Sequence, residues 1–112
     1  MKEPQTLVVG PFCLDRRDEG LWRGPEVLPL YPNAFAVLCC LVTQAGQLVT
    51  KDTLLEAVWP KTVVSESALT VAIRHLRRVL GDRAHTPQFI ETVHRRGYRF
   101  MAPVAVAEPS PE

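Results

Sequence analysis

The sequence predicts an α+β domain: a small antiparallel sheet, then three helices, then a closing β-hairpin. Three observations carry the prediction. The segment up to residue 31 alternates short apolar pieces with Gly-Pro punctuation. Residues 32–80 hold three stretches whose apolar residues recur at helical spacing. Residues 89–102 read as apolar strand, basic turn, apolar strand.

Each element follows from local chemistry. "TLVVGPFCLDRR" gives two short strand pieces around Gly10-Pro11. "GLWRGPEVLPL" gives a hairpin in which Leu21 and Trp22 lead in, Gly24-Pro25 turns, and Val27, Leu28 and Leu30 lead out. Pro32 suits a first helical position, where its fixed φ helps and its missing N–H costs nothing. "NAFAVLCCLVTQAG" continues that helix, with Phe35, Leu38, Cys39, Leu41 and Val42 on its apolar side and Gly46 as its stop. "LVT" is a short strand or extended link. Thr50 is the N-cap expected for "KDTLLEAVW", which puts Leu54, Leu55, Val58 and Trp59 on one face before Pro60 ends it. Ser65 is the next expected N-cap, and Glu66 suits the positive end of the third helix.

That third helix, "ESALTVAIRHLRRVLG", stops at Gly81. At about 100° per residue, Leu69, Ile73, Leu76 and Leu80 cluster on one side with Ala72 beside them. Ser67, Val71, Arg74, His75 and Arg78 lie opposite, and Thr70 and Arg77 flank the core side. "DRAHTPQ" is a loop, and "FIETV" with "YRFMAP" makes the last hairpin, in which Gly97 serves the turn and Tyr98 packs beneath it. "VAVAEPSPE" has no period and reads as a linker or frayed tail. The expected organisation is an N-terminal tail at 1–6, one folded domain at 7–102 and a tail at 103–112, with no internal repeat.

The bulk numbers fit. A chain of 112 residues with 46% hydrophobic and 22% charged residues suits one domain with a single core. No apolar run approaches the roughly 18–20 residues of a membrane span, and "MKEPQTLVVG" is not a secretory signal. Cys13, Cys39 and Cys40 are a poor disulfide framework, because helical neighbours point about 100° apart. Cys39 and Cys40 read as small core residues, and the expected compartment is the reducing cytoplasm.

Net charge is only +1, but its distribution is uneven. Residues 1–70 carry six bases against eight acids, whereas residues 71–100 carry seven bases against two. The basic helix and basic hairpin are neighbours in sequence, and tight spacing makes them neighbours in space. A helix fits the major groove of duplex DNA, and a hairpin tip reaches the backbone or the adjacent minor groove. Arg74 is the strongest base-reading candidate, since a guanidinium bonds both acceptors of guanine. Val71 suits a thymine methyl, and Ser67 and His75 suit single hydrogen bonds. Arg77 and Arg78 are expected on phosphates, which fix register without reading sequence. Thr70 and the Trp59 N–H are further candidates on the helical side. Thr92, His94, Arg95 and Arg96 are the candidates on the hairpin.

"LVTKDTLLEAVWP", "ALTVAIRHLRRVLGD" and "FIETVHRRGYRF" together resemble the OmpR/PhoB-type winged-helix domain of bacterial transcription regulators. The resemblance covers roughly residues 7–102. Its most specific elements are Trp59 at the end of helix two, Ile73-x-x-Leu76-Arg77 with Leu80-Gly81, and Thr92-Val93 with Gly97-Tyr98-Arg99-Phe100. It implies a winged helix-turn-helix: a four-stranded N-terminal antiparallel sheet, three helices and a C-terminal wing. The third helix, about 65–80, is then the recognition helix in the major groove, with wing residues 94–97 at backbone or minor groove. It also implies an RNA polymerase contact through loop 60–65 and paired binding on repeated half-sites. Arg74 and Arg77 fall on basic family positions, and His75 and His94 stand where arginine is frequent. The chain departs from the pattern at Ala34, in place of an acid, and at Tyr31, in place of a Ser or Thr cap. It departs again in the short loop "PKTVV" and in His94-Arg95-Arg96 at the wing. The wing and the start of the domain near residue 7, with no room for a phosphoreceiver ahead of it, are similar to the CadC/ToxR-like one-component branch.

Other classes have less support. No C-x-x-C or H-x-x-x-H spacing supports a metal site. No nucleophile–base pair, paired acids in a cleft or phosphate loop marks an enzyme, and no cofactor is expected. Any one of these arginines alone would read as solvated surface; seven against two acids on adjoining elements do not. A protein-interaction module using the same surface is the main rival. An RNA binder would be expected to show exposed aromatics on a sheet face.

Overall fold

A chain punctuated by Gly and Pro every few residues folds into short elements, and the computed structural model, which describes residues 6–106, contains eight strands and three helices among them. Strands β1 (Thr6–Val9), β2 (Phe12–Asp15), β3 (Gly20–Arg23) and β4 (Glu26–Leu28) form successive antiparallel hairpins. Left-handed Gly10 (φ +54°) and Gly24 (φ +60°) make two of the turns. The β2–β3 turn is held by the Asp15 carboxylate, which accepts from the N–H groups of Arg17 and Asp18 at 3.0 and 3.2 Å. The sheet is not four-stranded as expected. Ala105–Val106, placed in the tail by sequence, forms β8 and pairs with β1, giving the order β4-β3-β2-β1-β8. The unsatisfied edge of β1 supplies the hydrogen-bonding template. Of the tails expected at 1–6 and 103–112, residues 1–5 and 107–112 lie outside the described residues.

Helix α1 (Pro32–Thr43) starts with Pro32 in its first turn, as the sequence indicates. It ends earlier than Gly46: Gln44 is its C-cap, and Gly46 (φ +85°) instead turns the chain into β5 (Leu48–Thr50). There its N–H donates to the Phe100 carbonyl at 2.8 Å. The buried side of α1 is Ala34, Phe35, Val37, Leu38, Leu41 and Val42. Cys39 and Cys40 only pack against the core's margin, and burial pushes the Cys39 thiol up to about 11. Helix α2 (Lys51–Val58) is capped by Thr50, whose Oγ1 accepts from the Thr53 N–H at 3.2 Å. Only Leu54 of its predicted face is fully buried.

Helix α3 (Glu66–Leu80) buries Leu69, Ala72, Ile73, Leu76 and Leu80 against the core. Ser65 has N-cap backbone geometry but makes no side-chain cap bond. Left-handed Gly81 closes the helix, and the N–H groups of Gly81 and Asp82 return to the carbonyls of Arg78 and Arg77. β6 (Ile90–Val93) and β7 (Gly97–Phe100) form the hairpin, and β5 completes a second sheet in the order β5-β7-β6. Gly97 does not serve the turn. Its φ is not positive, it is buried, and an added Cβ would collide with the Val49 carbonyl and the Thr50 Cα. Glycine is needed there because β7 runs so close to β5.

Candidate nucleic-acid interface

Helical spacing puts Ser67, Thr70, Val71, Arg74 and Arg78 on the solvent side of α3, and all five are exposed. Val71 is 54% exposed, a costly position for an apolar side chain with nothing to cover it. Thr70 Oγ1 donates back to the Glu66 carbonyl at 3.2 Å, which leaves its methyl and lone pairs outward. Among the described residues, neither Arg74 nor Arg78 has an acid within 4.0 Å. The acid at the start of α3, Glu66, is taken up by Lys51 at 3.1 Å. A groove of 390 Å³ runs alongside, floored by Ile73 and Tyr98 and walled by Arg74 and Arg78.

The wing tip is equally bare. His94, Arg95 and Arg96 are all exposed. The turn closes through the Arg96 N–H to the Val93 carbonyl at 2.9 Å, with Arg95 in the left-handed region at φ +67°. A non-glycine residue there is strained by about 1–2 kcal/mol. The Arg96 carbonyl accepts from the Lys51 N–H at 3.1 Å, so the base of the wing is tied to the start of α2. Arg99, the third arginine of the hairpin, is spoken for: it pairs across the strands with Glu91 at 2.9 Å.

Four of the expected contact residues are engaged within the protein. His75 does not point outward. Its ring stacks on Tyr31, with centroids 4.2 Å apart and planes 19° apart, and its Nε2 accepts from the Tyr31 N–H at 3.4 Å. It faces the start of α1, and these two interactions hold its ring between the helices. Arg77, expected on a phosphate, lies half-buried between α3 and β6. Its Nη2 donates to the Ile90 carbonyl at 2.9 Å and to Thr92 Oγ1 at 2.8 Å, while its Nε is buried with no partner among the described residues. Thr92 is thereby engaged as well, although exposed. Trp59 is the C-cap of α2 and packs on the core's margin. With Tyr31, Ser67 and Val71 it lines an apolar groove of 450 Å³ beside the outer face of α3.

One residue was not singled out by sequence. Asp82, inside the stretch read only as loop, accepts from the backbone N–H groups of Gln88, Phe89 and Ile90 at 2.7, 3.3 and 2.9 Å. Its position just after a C-capping glycine was the available signal. Among the described residues no group of His, Cys, Asp and Glu is arranged to hold a metal ion, and no helix is long and apolar enough to cross a membrane.

Comparison with known proteins agrees with this geometry. The family model described as "Transcriptional regulatory protein, C terminal" matches residues 25–100. The chain is 42% identical over 106 residues to the transcriptional regulator HilA of Salmonella typhimurium, covering 94% of this chain and 19% of that protein. The chain thus spans about a fifth of the length of HilA and of the Escherichia coli transcriptional activator CadC, 19% and 20% respectively. The DNA-binding domain of Escherichia coli CadC superposes with a TM-score of 0.79 at 27% identity, over 96% of this chain and all of that one (100%). The Klebsiella pneumoniae RstA DNA-binding domain, solved in complex with the RstA box, superposes with a TM-score of 0.77 at 33% identity, over 87% of this chain and 97% of that one.

Proposed function

The chain belongs to the family "Transcriptional regulatory protein, C terminal", the DNA-binding domains of transcription regulators, and from that premise we propose that it reads duplex DNA sequence-specifically with α3 in the major groove and the wing on the backbone or minor groove. The observation that carries the reading is the pairing of two adjoining elements whose outward arginines, Arg74 and Arg78 on α3 and Arg95 and Arg96 on the wing, lack acidic partners among the described residues. Such cations clustered on two adjoining elements make the electrostatic footprint that suits an external polyanion.

The roles divide by position. Arg74 lies mid-stripe and reads bases, with Val71 and Ser67 one and two turns before it. Arg78 and the wing arginines hold phosphates and set register. The α2–α3 connection, with Val63 fully exposed at its centre, is the surface left for RNA polymerase. The test is a salt titration of binding to a duplex. The log–log slope should be negative and should shrink by about 0.9 for each phosphate contact removed. A slope near zero on duplex DNA, with a partner protein still bound by the same face, would transfer the reading to a protein-interaction module.

A further inference from the structure

The backbone of Ile90 is gripped on both sides of its Cα, at the N–H and at the carbonyl, by side chains of α3 and its cap. Its N–H donates to Asp82 Oδ2 at 2.9 Å, and its carbonyl accepts from Arg77 Nη2 at 2.9 Å. Ile90 opens β6, an edge strand, and is fully buried. The outer backbone groups of an edge strand ordinarily face water; here they face one helix. Arg77 Nη2 reaches on to Thr92 Oγ1 at 2.8 Å, two residues along the same strand. Asp82 Oδ1 gathers the N–H groups of Gln88 and Phe89 as well, which draws the 83–87 loop onto the end of α3. Asp82 is itself placed by left-handed Gly81 and by its own N–H bond to the Arg77 carbonyl at 2.8 Å.

We propose that Asp82 and Arg77 yoke the wing to α3, so that the two DNA-facing elements meet the duplex as one rigid unit rather than as two independently mobile contacts. Both are positioning residues, and neither is assigned a DNA contact. The inference rests on the DNA-binding reading and deepens it. A wing on a loose joint would lose ordering entropy at the moment of binding, and its arginines would add little. A wing held at a fixed angle converts its contact into an intramolecular second step once α3 is seated. The yoke is charge-assisted at both ends, which makes its bonds shorter and stronger than neutral ones.

The test is duplex affinity of the 112-residue chain, by fluorescence anisotropy at fixed salt, for Arg95→Ala and Arg74→Ala in the native and Asp82→Asn backgrounds. Asparagine keeps one oxygen for Gln88 and Phe89 but replaces the acceptor of the Ile90 N–H by a donor. In the native background Arg95→Ala should weaken binding about fivefold to tenfold, and in the Asp82→Asn background less than about twofold, because coupled groups are non-additive. Arg74→Ala should cost the same factor in both backgrounds. Thermal melts establish that each variant is folded; if Asp82→Asn is not, the same comparison is made with Arg77→Met, which keeps an unbranched apolar stem and removes both donations to β6. An equal loss on Arg95→Ala in both backgrounds overturns the yoke, as does no loss in the native background while Arg74→Ala weakens binding. No effect of either arginine substitution in the native background is a different result, and it overturns the DNA-binding reading along with the yoke.

Discussion

The N-terminal sheet, built from short antiparallel hairpins, and the α3–wing unit, a helix joined to one such hairpin, pack on one core, yet they turn very different faces to solvent. On the sheet, Ala105, Val8, Cys13, Trp22 and Val27 stand in one cross-strand row over five strands, on the side away from the core. Charges near it are mixed, and Asp15 spends its carboxylate on its own turn. On the α3–wing unit the exposed row is Ser67, Val71, Arg74 and Arg78, continued by Arg95 and Arg96, with acids missing. The two regions differ in the balance of signs: residues 6–28 carry three bases against four acids, and residues 66–100 carry seven bases against three acids, each of which is engaged within the protein. A near-neutral chain can therefore present a strongly cationic surface, and net charge alone conceals it.

Four substitutions would break or sharpen that contrast. Leu76→Ala removes a fully buried side chain that joins α3 to the shared core. It should cost about 2–5 kcal/mol by denaturant melt and weaken both faces together; a loss confined to DNA binding would mean α3 does not share that core. Arg74→Ala should cost about 1–3 kcal/mol on a cognate duplex and much less on a random one. Equal losses on both would show that Arg74 touches only phosphate. Arg95→Ala should weaken cognate and random duplexes alike and lower the salt slope by about 0.9; a sequence-dependent loss would make the wing a reader. Val27→Thr, on the apolar row of the sheet, should change stability by less than about 0.5 kcal/mol and leave duplex affinity unchanged. If it weakens binding, the sheet is part of the interface and the contrast drawn here fails.

Much of the architecture was legible because its signals are local. Pro32 at a helix start, Thr50 as a cap and Gly81 as a stop each act within a few residues, and the period of Leu69, Ile73, Leu76 and Leu80 is intrinsic to α3. The stripe through Ser67, Val71, Arg74 and Arg78 follows from that same period. What sequence reading placed differently depends on partners far along the chain. His75 is drawn to Tyr31, forty-four residues away. Gly97 is explained only by β5, and Arg77 only by the edge of β6, thirteen to fifteen residues on. Ala105–Val106 is too short to show a period and is ordered by the free edge of β1. One side chain apart on a helix wheel, Arg78 faces solvent while Arg77 braces the wing, and composition cannot tell them apart.

The most direct test of the central claim is a binding selection from random duplex DNA at near-physiological salt, run on the native chain and on Arg74→Ala in parallel. The structure predicts an enriched motif for the native chain that is lost or blurred at one or two positions in the variant. No enrichment for the native chain, with weak binding that vanishes as salt rises, would contradict sequence-specific reading by α3 and leave only electrostatic adhesion by its basic face.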